Sequence, residues 1–297
     1  MTSPGVAARL ARRFAAAQGV ADTVLYEGYI LYPYRAAHAK NHGAVRFQWG
    51  VLVPPSCLAD GPYERSHCRT ELVVDPGSEP LLAVRLRFLR LQHRTVEVAD
   101  PGADGGFRRV EKLDVGGQVW TEWDEAIETE VDLGVTPLLA GPGAARAVPF
   151  SFPATATTEP VSEAGRLVRA TEAIGCEVRM RAQPAEGAAT LVKVTIEVEN
   201  TTPWSDPTAG RDEVVRRSLI AVHTLAAVED GSFCSVLDPP AGAAEAVARC
   251  RSVGSYPVLV GPAGATDVVL ASPIILYDYP AIAPESEGDF HDGLEID

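Results

Sequence analysis

Apolar and polar residues alternate along much of the chain. In "LVKVTIEVEN", Val192, Val194, Ile196 and Val198 fall on one side of a strand, with Lys193, Thr195, Glu197 and Glu199 on the other. In "AVRLRFLR", Val84, Leu86 and Phe88 alternate with Arg85 and Arg87. In "CEVRMRA", Cys176, Val178 and Met180 alternate with Glu177, Arg179 and Arg181. One buried face and one wet face is the mark of antiparallel sheets. Gly and Pro turns recur between these runs, and few helical periods interrupt them. The pattern predicts a mainly β protein of the antiparallel β-sandwich type.

Two stretches carry a helical period. Val6, Leu10 and Phe14 share one face of a short N-terminal helix over 4–18, with Ser3 placed to cap it and Pro4 in its first turn. In "LDPPAGAAEAVARCRSVG", Asp238 is a candidate cap, Ala243, Val247 and Cys250 share a face, and Gly254 is a stop. The Gly/Pro/Ala-rich run 134–149 suggests a joint between two β-rich lobes. The expected division is an N-terminal helix (1–20), a first lobe (21–140), a second lobe (147–280) and an acidic extended tail (281–297). "YILYPY" at 29–34 and "IILYDYP" at 274–280 echo each other and are candidate neighbours in one sheet.

The densest chemistry lies in "LYEGYILYPYRAAHAKNH", 25–42. Pro33 cannot donate to a ladder, so "YPYR" reads as a strand end. Tyr32, Tyr34 and Arg35 there are candidate partner contacts, since Tyr and Arg are enriched at interface hot spots. In a helical turn, His38 and His42 would share a face, as a metal pair requires; a third ligand is not evident in sequence.

A second candidate is "TEWDEAIETEVD", 121–132. On a strand, Glu122, Asp124, Glu128, Glu130 and Asp132 share one face, while Trp123, Ile127 and Val131 take the other and Glu125 breaks the pattern. Five acids in a row repel one another and need cations. The Arg85/Arg87 or Arg179/Arg181 rows on neighbouring strands, a basic protein partner or a divalent ion could supply them.

The formal net charge of -14 and the lack of a basic cluster argue against nucleic-acid binding. No run approaches the ~18 apolar residues of a membrane span, and "MTSPGVAARLARRFAAAQG" has no apolar core of a secretory signal. The five cysteines show no C-x-x-C spacing, which fits reduced thiols in a cytoplasmic protein. There is no G-x-S-x-G, no phosphate-binding Gly-rich loop and no H-E-x-x-H, and no cofactor is implied.

The segments "LYEGYILYPYR" and "ASPIILYDYPAIAPES", with the acidic end "EID", resemble a β-rich family associated with actinobacterial gene clusters for uptake nickel–iron hydrogenases. The resemblance covers the two ends of the chain and carries over no catalytic residue. It implies an accessory role in hydrogenase maturation or assembly, with a hydrogenase subunit or maturation factor as partner. The expected function is therefore a non-enzymatic accessory protein. It would bind a protein through the Tyr-rich segment, the acidic strand and the tail. The alternatives are a carbohydrate-binding sandwich module using Trp49, Trp120, Trp123 or Trp204 as a stacking platform, and a metal-dependent enzyme using His38 and His42.

Overall fold

The computed structural model describes residues 50–57, 65–139, 145–163, 165–206 and 209–273, together with most of 5–20. Tyr32, Tyr34, Arg35, His38, His42 and Trp49 lie outside the described residues, as do the 29–34 and 274–280 echo and the tail 281–297.

The protein is mainly β, as the alternation predicts. Its spine is β1 (His67–Ala99), a 33-residue strand. One edge of β1 meets β10 (Ala188–Asn200), then β5 (Trp123–Pro137), then β2 (Phe107–Val110), all antiparallel. The other edge meets β11 (Ile220–Phe233), then β8 (Gly165–Thr171). With β13 (Val268–Pro273), β12 (Ser255–Leu259), β9 (Ile174–Ala185), β6 (Ala145–Phe152) and β7 (Thr155–Ser162) they form one eleven-stranded sheet. A small hairpin of β3 (Lys112–Val115) and β4 (Gln118–Thr121) stands beside it.

The sheet bends where β1 reads "DPGSEP". The register with β11 shifts between Pro76 and Leu81, as an inserted bulge requires. Asp230, itself in the left-handed region at φ 55, pins the bend: its Oδ2 accepts from the Glu79 amide at 2.6 Å and from Ser78 Oγ at 3.2 Å. A Cβ on Gly77 would lie 2.2 Å from Asp230 Oδ1, so only glycine fits there.

Because side chains alternate along a strand, the same parity of β1 enters the core before and after the bend. Cys68, Leu72 and Val74 precede it; Leu82, Val84, Leu86 and Phe88 follow. They meet Cys176, Val178 and Met180 of β9, Val192 to Val198 of β10, and Val222, Ala226 and Val228 of β11 in one sandwich-like core. The described residues between 5 and 20 form helix α1, whose Leu10, Phe14 and Ala17 cover Ala83, Leu225 and Leu270 on the outer face. Arg9 pairs with Glu229 and Arg13 with Asp267 at its flanks. Two five-residue helices, α2 (Arg211–Val215) and α3 (Ala244–Ala248), and two 3-10 turns, Pro55–Cys57 and Asp104–Gly106, complete the described elements. In α3, Val247 is buried as the period predicts. Its N-cap is Ala243 rather than Asp238, whose amide is bound by Ser235 Oγ in a preceding turn.

β6 and β7 together form the outer arm of a long hairpin. Ala145 lies opposite Arg181 and Phe152 opposite Ile174, and the same register continues through Thr155 opposite Thr171. The inner arm, β8 and β9, is tied on its far side to β1 and β10. The outer arm has no second neighbour among the described residues.

Candidate functional site

The acidic strand β5 is answered within the protein. Arg85 Nε donates to Asp132 at 2.6 Å, and its Nη1 lies 3.4 Å from Glu130. Arg87 pairs with Glu128, and its Nε sits 2.7 Å from Glu130. Glu122 is held by Arg109 at 2.5 Å and by His93 Nε2 at 2.9 Å. Asp124 accepts from His93 Nδ1 at 2.7 Å and from Arg216 Nε at 3.0 Å. The cause is register: Arg85 lies opposite Asp132, Arg87 opposite Glu130 and His93 opposite Asp124, and opposite charges across a ladder attract. Glu125, the exception to the sequence pattern, faces the other side and binds Arg94 and Arg169 at 2.5 and 2.9 Å.

Chemically, this lattice is closed. Burial raises the Asp124 carboxyl, but the His93 and Arg216 hydrogen bonds and charges outweigh it and hold the acid below its usual range. A base oriented by a carboxylate must keep its other nitrogen for a substrate. Both nitrogens of His93 are taken by carboxylates. Burial also pushes the Cys68 thiol up to about 12 and Cys250 to about 11, and raises Cys176 further, so these thiols stay protonated core residues. Among the described residues, no three His, Cys or carboxylate side chains converge as a metal site. Trp120 packs in the cluster of the β3–β4 hairpin under Arg94, and Trp204 in a different cluster under Arg217.

The open features lie elsewhere, along the outer arm of the hairpin. Strand edges expose unpaired amides and carbonyls, and proteins usually blunt them with charge, proline or short length. Among the described residues β5 also pairs with β1 alone, but its edge carries Asp124, Glu125, Glu128, Glu130 and Asp132. Edge strand β12 has only five residues and contains Pro257. β6 and β7 have eight residues each, are largely exposed, and carry only Arg146 and Glu159 as charges. Pro149 and Pro160 interrupt the donors but leave the intervening backbone available.

At the start of this edge lies a cleft of about 200 Å³ between the ends of β5 and β6. Core residues Leu82, Leu138, Met180 and Val194 line it, and Arg146 and Arg181 line it as well. Sequence reasoning missed both edge and cleft. The available signal was the near-neutral "AVPFSFPATATT" in a chain with 22% charged residues. Against family models and curated proteins, the chain finds no match.

Proposed function

We propose that this chain is a non-enzymatic accessory protein that holds a protein partner, whose extended backbone adds to the open edge of β6 and β7. The observation that carries the reading is this long, charge-poor edge, free on one side among the described residues, beside other edges that are short or guarded by charge. Strand addition draws its affinity from main-chain hydrogen bonds, so a bare edge on a rigid hairpin is the surface it needs. The resemblance of both chain ends to a family of nickel–iron hydrogenase gene clusters makes a hydrogenase subunit or maturation factor the partner in this proposal.

The test is a tagged capture from native cells, with protein identification and metal analysis of the same sample. The comparison is a double variant, Ala147→Glu with Ser151→Lys, at exposed edge positions. Such surface changes shift stability by about 0.5 kcal/mol each, while charges on an edge oppose strand pairing. Hydrogenase components bound to the wild type and lost from the variant support the proposal. A partner retained equally by both, or a stoichiometric metal on a chain without partner, contradicts it.

A further inference from the structure

The cleft at the head of the open edge has a specific chemistry. Its floor is aliphatic and belongs to the main core: Leu82, Leu138, Met180 and Val194 are each at most 5% exposed. Two cations, Arg146 and Arg181, also line the cleft. Arg146 Nη1 donates to Thr136 Oγ1 at 3.2 Å, and no carboxylate among the described residues pairs with Arg146 or with Arg181. No acid among the described residues lines the cleft, although the chain carries a formal charge of -14. Most other arginines of the sheet are neutralised, as Arg85, Arg94, Arg166 and Arg169 illustrate. An arginine with no acid partner among the described residues, beside an apolar hole, suits an anionic group attached to an aliphatic one.

Strand direction then identifies the occupant. A segment added antiparallel to β6 runs from Phe152 toward Ala145, so its C-terminal end arrives at Arg146 and the cleft. Pro149 offers no N–H, so the stretch of ladder next to the cleft is Ala145–Val148, with the rest of the edge continuing beyond this first interruption. A free C-terminal carboxylate would meet the guanidinium, and the last side chain would enter the apolar floor. Capture of a chain end beside an edge strand is a known way of combining β-addition with carboxylate recognition.

We infer that this site binds the C-terminus of a polypeptide, taking its carboxylate on Arg146 and an aliphatic last residue in the cleft. The inference rests on the proposed strand addition and goes further by fixing the partner's polarity and terminal chemistry. It distinguishes Arg146 from the other exposed arginines and requires the partner's chain end to be free.

The experiment pans a library of random ten-residue peptides with free C-termini against the full chain and against its Arg146→Gln variant. Enriched peptides are then remade as free acids and as C-terminal amides. The expected result is enrichment of aliphatic last residues, at least tenfold weaker binding of the amides, and loss of that acid–amide difference in Arg146→Gln. Absence of enrichment, or acids and amides that bind alike, overturns the inference. If the native partner is still lost in the Ala147→Glu/Ser151→Lys variant while no carboxylate dependence is found, strand addition survives and the C-terminal site does not.

Discussion

Arg87 of β1 and His223 of β11 stand directly opposite each other, and each is 1% exposed. His223 Nδ1 lies 2.6 Å from the Ala221 carbonyl, which fixes the proton there, while Nε2 is buried without a hydrogen-bond partner among the described residues. Burial above all, helped by the Arg87 charge and opposed by the Ala221 carbonyl, pushes the imidazole down from 6.5 to about 4. An unfolded histidine titrates near 6.5. Between these values the unfolded chain binds more protons, so stability falls as pH drops. The contribution is whole above about pH 6.5, shrinks toward pH 4 and changes no further below it, a loss on the order of 3 kcal/mol at ~1.4 kcal/mol per unit. Urea unfolding at about pH 7.5, 5.5 and 4.5 should show this slope in the wild type and a flatter one in His223→Asn.

The Arg87 guanidinium is buried, whereas the side chains of Glu128 and Glu130 are 34% and 33% exposed. Removing Arg87 takes its cation from Glu128 and leaves Glu130 with Arg85 at 3.4 Å, and water only partly solvates either acid. Arg87→Met is expected to cost about 2–4 kcal/mol, reduced from the buried-pair range by that partial exposure. Asp132, 62% exposed beside Arg85, is the control. Asp132→Asn should cost less than about 1 kcal/mol. Chemical denaturation of the two variants side by side checks the ranking.

Asn200 is fully buried and has its amide saturated. Nδ2 donates to the Leu52 carbonyl at 2.8 Å and the Arg217 carbonyl at 3.0 Å, and Oδ1 accepts from the Thr202 amide at 2.9 Å. It ties the 50–57 segment to the ends of β10 and α2. Asn200→Ala takes their Asn200 partner from the Arg217 carbonyl and the Thr202 amide, while the Leu52 carbonyl keeps the Leu219 amide at 3.2 Å, and should destabilise by about 2–3 kcal/mol. Asn200→Asp should fail as well, because a carboxylate would face two carbonyl oxygens. Thermal melts of both variants measure this.

Of the five thiols, Cys57 alone is half-buried, and Cys68, Cys176, Cys234 and Cys250 are buried. Reaction with an aromatic disulfide reagent near neutral pH should label Cys57 first. The others should follow only at the rate of unfolding, since burial keeps their thiolates scarce. Mass mapping of the modified residues over time decides it.

The strands were legible where local alternation and burial agree. Val192 to Val198 and Val84 to Phe88 enter the core as their parity predicts. The answer to the acid row was legible in kind, since Arg85 and Arg87 were visible cations of matching period. Its register was not, because pairing across a ladder is a long-range choice. "DPGSEP" reads locally as a turn, yet β1 passes through it as a bend pinned by Asp230, far away in sequence. Arg85 and Arg87 have the same local pattern, but only Arg87 is sealed from water. His223 sits in "LIAVHTLAAV", which reads only as an apolar strand. The edge of β6 and β7, open among the described residues, could not be read, because an edge is defined by which strand is not beside it.

The central claim is that a partner adds its backbone along β6 and β7. Hydrogen–deuterium exchange of the captured complex against the free chain tests it most directly. New amide protection should concentrate in 145–162, with the acidic strand 123–137 unchanged. Protection centred on 123–137, with 145–162 exchanging as in the free chain, would contradict it.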